Sequence, residues 1–425
     1  MPPLLSARLT SLQLYPDCML TRFCLWVILL YFGGSRLPIL LADPLPLSPQ
    51  ATVSVLTCEP GTETYALFGH SALRVADPLR GFDRVYNYGT FDFETPHFYW
   101  RFMRGDLRYF LSVSSFAGFS AAYQQDNRLV SEQVLALRPQ ETQRLYNYLE
   151  TTLRSSARFY RYQFFADNCT TRLWQDIQAS VETPIQVDSA YVLPARTYRQ
   201  LLAPYLAPAP WVNLGMNLGL GWPADQATTF RQQLFLPVAL QEALQHTRRA
   251  QRLFAGPSRP LFVAPAVSSS PPSWGTPTHC VLGMGLLLLL AQGLPRRYDL
   301  IRRSLRFALL ASVGLVGCVL LGLMLFSLHA PVRLNYQLLW LLPAHIGLAV
   351  ARPTRRWRRY AGVAAGLLVL SGLFGWTIYY AHLLPVIGLL LVVLLLQLLL
   401  FIRPVVNQQP TDKQASLVGP KGAPY

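Results

Sequence analysis

From about residue 279 onward this chain is too apolar to fold in water. Five apolar runs lie at approximately 279–294, 307–328, 334–351, 361–381 and 384–402. A helix needs about 20 apolar residues to cross a hydrocarbon core of about 30 Å. Four runs approach that length, and the first does so when extended into the stretch before it. The loops between them alternate in charge. Arg296, Arg297, Arg302, Arg303 and Arg306 follow the first run, and Arg352, Arg355, Arg356, Arg358 and Arg359 follow the third. Residues 329–333 and 381–382 carry little charge. Because positive loops stay on the cytoplasmic side, the pattern predicts an α-helical transmembrane bundle of about five spans over 279–403. It also predicts a cytoplasmic tail, 404–425, and places everything before residue 279 outside the cytoplasm.

The composition agrees. Hydrophobic residues make up 52% of the 425 positions and charged ones only 14%, a balance wrong for a wholly water-soluble chain. A formal charge of +16 would suit a nucleic-acid partner. The excess is nearly all arginine, however (Lys413 and Lys421 are the lysines), and much of it flanks the apolar runs. Membrane topology accounts for it, so no nucleic acid is expected. At the other end Arg22 precedes an apolar run over 23–32, and Leu40-Leu41-Ala42 makes a small-residue cleavage point. Residues 1–42 therefore read as a signal peptide or, if uncleaved, an N-terminal anchor. Leader and loop charge together predict a multi-pass membrane protein whose domain before residue 279 lies outside the cytoplasm. Residues 256–278, rich in Pro and Ser, read as a linker without helix.

Residues 43–255 have the mixed composition of a folded domain. Strands are expected at 53–56, 70–75, 84–91, 107–113 and 129–137. Pro139 opens a helix with Leu145, Leu149 and Leu153 on one face. Asp167 or Asn168 can cap a second helix starting at Cys169 and burying Leu173 and Ile177. A last amphipathic helix is expected over 238–254. Strands followed by helices indicate an α+β domain.

Two motifs a hundred residues apart carry the chemistry. Cys169 lies in the first turn of its helix, where free N–H groups and the macrodipole favour a thiolate. His70 begins an apolar strand and can serve as its base. A third polar group should orient the imidazole: Asn87, on the next strand, or Asp92. Plainer readings use the same letters. Cys169 and His70 can both be structural, Cys58 can pair with Cys169 in a disulfide, and Cys58 can itself be the nucleophile, although no helix start lies beside it. His97 sits in an aromatic stretch suited to packing or anchoring. Arg101, Arg104 and Arg108 suit anionic headgroups or an ordinary solvated face. No His/Cys cluster has zinc spacing, so no metal is expected.

The stretches Leu56-Thr57-Cys58-Glu59-Pro60-Gly61, Phe68-Gly69-His70-Ser71-Ala72-Leu73-Arg74-Val75, Tyr86-Asn87-Tyr88-Gly89-Thr90-Phe91 and Asp167-Asn168-Cys169-Thr170-Thr171-Arg172 resemble the Lnb-type lipoprotein N-acyltransferase family. Phe235-Leu236-Pro237 and the C-terminal bundle fit as well, so the resemblance covers about residues 50–400. It implies a permuted papain-like (NlpC/P60-like) core, similar to that of lecithin:retinol acyltransferase. By that likeness Cys169 is the nucleophile, His70 the base and Asn87 the orienting residue, with backbone N–H groups around Asn168 and Thr170 binding the oxyanion. The activity implied is transfer of an acyl chain from a membrane phospholipid, through a Cys169 thioester, to the N-terminal amine of a diacylated lipoprotein, without a cofactor. The rival readings are a papain-like cell-wall amidase or peptidase and a noncatalytic envelope assembly module.

Overall fold

The computed structural model describes residues 44–188, 191, 194–262, 274–378 and 384–403. The expected leader and cytoplasmic tail lie outside the described residues, as does most of the linker.

The first part of the chain builds a sheet with helices on both faces. In order come β1 (Thr52–Cys58), β2 (His70–Asp77), β3 (Phe82–Thr90), α1 (Phe98–Arg104), β4 (Arg108–Ser115), α2 (Phe116–Gln125), β5 (Val130–Val134), α3 (Pro139–Arg154), β6 (Phe159–Arg161) and α4 (Cys169–Ser180). After β7 (Gln186–Val187) a helical segment follows: α5 (Tyr198–Leu206), α6 (Pro210–Gly219), α7 (Phe230–Gln233) and α8 (Pro237–Gln245). The short strands β8 (Thr247–Arg249), β9 (Arg252–Leu253) and β10 (Arg259–Pro260) complete this part. Seven strands pair antiparallel in the order β10-β5-β1-β2-β3-β4-β6.

β1 is buried on both faces, Ser54 and Thr57 included. Val53 and Val55 pack with Leu73, Val75 and Tyr86 in the cluster that also takes Leu145 and Leu149 of α3 and Leu173 and Ile177 of α4. Leu56 and Cys58 join Ala72, Val85 and Phe119 of α2 in another cluster. The sheet therefore separates two apolar layers.

Three sequence expectations change here. The helix expected over 238–254 stops at Gln245, and a hairpin replaces its second half. Continuing it would have put Thr247, Arg248 and Gln251 on the face that buries Leu240 and Leu244. Instead Ala250 and Gln251 both take positive φ, as a two-residue hairpin turn with right-handed strand twist requires. The stretch read as linker begins with an edge strand, since Arg259–Pro260 pairs with β5. The apolar run at 334–351 is not one helix.

That run shows how the membrane part is built. Its helices are α9 (Pro277–Gln292), α10 (Asp299–Phe326), α11 (His345–Val350), α12 (Arg355–Ile378) and α13 (Leu384–Ile402). Among the described residues α10 and α13 are long and apolar enough to cross a membrane, whereas α9 is apolar but shorter. Between α10 and α11 the chain forms 3-10 turns and irregular backbone, with Pro343 interrupting any helix. Side chains satisfy this backbone: Asn335 Oδ1 accepts from Gln337 N–H (3.0 Å), and His345 Nε2 pairs with Trp340 O (3.1 Å). Irregular chain is tolerated at membrane depth only when buried in protein, and here it lies against α10. A Cβ on Gly317 would sit 2.1 Å from Leu341 O, so only glycine permits that approach. Hydrophobicity along the chain carries no trace of this dependence on a neighbouring helix.

Candidate active site

The local chemistry of the Asp167–Arg172 stretch fixes where the sulfur stands. Asn168 is the N-cap of α4, and its Oδ1 accepts from the N–H groups of Thr170 (3.0 Å) and Thr171 (2.9 Å). Thr171 Oγ1 answers by accepting from Asn168 N–H (2.8 Å), closing a capping box. The Asn168 amide also donates to Phe164 O (3.0 Å) and Phe235 O (2.8 Å). All of its polar atoms are thus engaged, and the start of α4 is tied to the segment before α8. Cys169 follows as the first residue of the helix, buried at 9% exposure.

His70 enters from the sheet. It is the first residue of β2 and lies opposite Cys58 of β1. Its Nε2 lies 3.3 Å from Asn87 Oδ1 on β3. The Asn87 amide also donates to Val85 O (3.3 Å), which sets its orientation. With Oδ1 as the acceptor, Nε2 carries a hydrogen and Nδ1 is left for the sulfur. Asp92, the alternative partner, sits instead in the turn after β3 and accepts from Glu94 N–H (2.9 Å).

β3 bends to let the helix in. The β3–β4 register shifts between Asn87 and Thr90, a bulge of the kind that re-aims side chains. Gly89 within it has φ +86°, and a Cβ there would stand 3.5 Å from Cys169 Cβ. That contact is an ordinary one, but the positive φ would strain any other residue. The sequence offered Gly89 only as one letter of a motif; its reason is the left-handed backbone of the bulge.

Electrostatics then separate the two cysteines. Burial alone would raise the Cys169 pKa. The His70 charge, a hydrogen bond with the imidazole, Ser71 N–H and the Thr170 hydroxyl outweigh it and bring the thiol down to about 7. For His70 burial works downward, but attraction to Cys169 and hydrogen bonds with Cys169 and Asn87 leave its pKa raised. Each partner favours the charged form of the other, the signature of a thiolate–imidazolium pair. Cys58, buried among Leu56, Ala72 and Phe119, is pushed up by burial to about 12. Both cysteines are free thiols, so the disulfide considered from sequence is absent from the structure.

On the His70 side of this pair opens a groove of about 390 Å³. His70, Asn87 and Gly89 line it together with Phe119, Ala122 and Tyr123 of α2 and with Tyr65 and Phe91. Thr90, Ser112 and Ser114 supply a polar side. Among the described residues no group of three His, Cys, Asp or Glu side chains could hold a metal ion. His97 stands apart as the N-cap position of α1, in the left-handed region (φ 58°).

One expectation from sequence needs correction. The Asn168 N–H is held by Thr171 Oγ1 and the Thr170 N–H by Asn168 Oδ1, so neither is available to an oxyanion. Among the described residues Cys169 N–H has no acceptor, because as the first helical residue it is one of the four N–H groups a helix start leaves over.

Two family models match the chain. That of the Lnb N-terminal periplasmic domain covers residues 46–204, and that of the Lnb transmembrane domain covers 269–408. Together they take in well over half of the sequence. No curated protein and no solved structure matches it.

Proposed function

The chain belongs to the Lnb family, a membrane protein with a periplasmic domain, and on that premise we propose that it is a thiol acyltransferase of the inner membrane acting on lipoproteins. The observation that carries the proposal is the pairing of Cys169, at a helix start and with a pKa near 7, with an imidazole held by Asn87. The order of histidine on a strand before cysteine at a helix start supports a permuted papain-like core.

The reaction follows from that pair. The Cys169 thiolate attacks the ester carbonyl carbon of a membrane phospholipid. The C–O bond breaks, and His70, protonated at the outset, gives its proton to the departing lysophospholipid alkoxide. An acyl-thioester remains. The α-amine of a diacylglyceryl-cysteine, neutral in part because its reference pKa is near 8, then attacks the thioester carbonyl. The C–S bond breaks, neutral His70 takes the amine proton, and the thiolate–imidazolium pair returns. Cys169 N–H is the donor at α4 that faces developing negative charge on the carbonyl oxygen. Asn87 holds the imidazole in the tautomer that turns Nδ1 to sulfur, a positioning role.

Mass spectrometry of lipoprotein N-terminal peptides tests this in a strain whose only acyltransferase is this chain. Cys169→Ser is expected to leave membrane insertion intact and lipoproteins diacylated, while the wild-type protein accumulates a hydroxylamine-sensitive acyl group on Cys169. Continued N-acylation by the Cys169→Ser variant would refute the proposal. Loss of peptidoglycan cleavage with N-acylation unchanged would point to the amidase chemistry instead.

A further inference from the structure

A membrane protein whose active site lies in a periplasmic domain must hold that domain at some height above the bilayer, and α1 fixes that height. Its seven residues, Phe98–Arg104, lie between two left-handed caps, His97 and Gly105, so it is isolated between β3 and β4. Of those seven, Tyr99, Trp100, Phe102 and Met103 are large, apolar and exposed, at 74%, 54%, 46% and 40%. A soluble domain has no reason to present such a cluster to water.

The last carbonyls of α1 say what lies beside it. A helix leaves its final C=O groups without partners. Here Ser327 Oγ donates to Met103 O (3.0 Å), Leu328 N–H donates to Arg104 O (2.8 Å), and His329 Nε2 pairs with Phe102 O (3.2 Å). Residues 327–329 are those directly after α10, whose last residue is Phe326. α1 is therefore clamped to the point where an apolar, membrane-length helix leaves the hydrocarbon. Chain direction puts the start of α9 on the same side, because α9 and α10 are joined through the short arginine loop. There Trp274 is 80% exposed, and Trp211 donates from Nε1 to Gly275 O (2.8 Å). Aromatic rings gather at both crossing points, as they do at membrane–water boundaries.

We propose that α1 lies in the periplasmic leaflet's interface, with Tyr99, Trp100 and Met103 among the upper acyl segments and Arg101 and Arg104 at the phosphates. Its occupant is a phospholipid bilayer, argued from continuity with α10. A contact path then leads inward from α1. Phe98 packs on Phe93 (4.9 Å between ring centroids), Phe93 on Phe91 (4.8 Å), and Tyr65 on Phe91 (6.1 Å). Phe91 and Tyr65 line the groove that holds His70. A lipid leaving the leaflet beside α1 meets apolar rings all the way to the catalytic pair. The membrane position of α1 does not depend on which bond Cys169 attacks.

The test uses the full chain reconstituted in phosphatidylethanolamine–phosphatidylglycerol vesicles. The photocrosslinking amino acid p-benzoylphenylalanine replaces Tyr99, Trp100 or Met103 in turn, all exposed positions where folding is not at risk. Tyr148 of α3, also exposed (49%), serves as the control. Irradiation is expected to give phospholipid adducts at 99, 100 and 103 at least tenfold above those at 148. Adducts no more frequent than at 148, or crosslinks to a second copy of the chain in place of lipid, would overturn the proposal.

Discussion

Replacing His70 by alanine is expected to raise the apparent pKa of Cys169 by at least about 1.5 units. Burial drives that thiol upward, and the largest opposing influence is the positive imidazole; Ser71 N–H and the Thr170 hydroxyl help less. Without the imidazole, burial faces only two neutral donors, so the thiol returns at least to its ordinary value of about 8.5. From about 7, that rise corresponds to about 2 kcal/mol of lost preference for the thiolate. At pH 7 the thiolate fraction would fall from about one half to about 3%. Iodoacetamide labelling followed by mass spectrometry of the Cys169 peptide measures this, with a free small-molecule thiol in the same sample as reference. The inflection of rate against pH is the quantity to read, because a less basic thiolate is also a poorer nucleophile. The wild-type inflection should lie near pH 7, that of Asn87→Ala higher, and that of His70→Ala higher still. A His70→Ala profile still inflecting near 7 would show that something other than the imidazole holds the thiolate.

Other substitutions probe the supports. Asn168→Ala removes a cap and leaves Phe164 O and Phe235 O without their donor, and should cost about 2–4 kcal/mol in a thermal or denaturant melt. Asn168→Asp keeps the cap oxygen but sets a carboxylate against two carbonyls, and should recover only part of that loss. Asp176, whose Oδ2 accepts from Tyr88 OH (2.8 Å), is raised by burial to about 7. Between about pH 4 and 7 the folded chain therefore keeps a proton that the unfolded chain has released. Stability from this group grows as pH falls through that window. Asp176→Asn should abolish the dependence and raise the melting temperature at pH 7.5; an unaltered pH profile would contradict the assignment. Arg199, buried, donates to Asp225 Oδ1 (2.7 Å), Asn217 O (2.6 Å) and Tyr336 Oη (3.1 Å), joining the periplasmic helices to the chain after α10. Arg199→Ala leaves the buried Asp225 carboxylate with the Tyr336 hydroxyl but no positive partner and should destabilise by about 3–5 kcal/mol, visible as earlier proteolysis around 220–230.

What the sequence disclosed follows from which forces are local. The cap at Asn168, the helix at Pro139 and the alternation along β3 depend on neighbours a few residues away, so they could be read. Cys169 and His70 could be singled out because residue type and local position already restricted the choice. Their meeting could not be read: it depends on the Gly89 bulge and on the Asn168 amide reaching Phe235 O, 67 residues away. The run at 334–351 misled for the same reason. Leucines and Trp340 made it look like a span, but Gly314 and Gly317 of α10 leave room for a non-helical chain.

The start of α4 also limits the proposed chemistry. A residue just before a helical nucleophile can either cap the helix or aim its N–H at an oxyanion, and Asn168 does the first with both ends. Its side chain accepts from two amides while its own N–H is held by Thr171 Oγ1. One backbone donor, Cys169 N–H, then remains at this turn. With that donor holding the carbonyl oxygen beside the sulfur, the acyl chain of the proposed intermediate is expected to occupy the groove that His70, Ala122 and Tyr123 line. Bulk added on the groove wall, as in Ala122→Phe, should therefore shorten the acyl chain transferred, measured by the mass of the lipoprotein N-terminal peptide. An unchanged chain length with full activity would mean that the carbonyl is approached from the opposite side of Cys169.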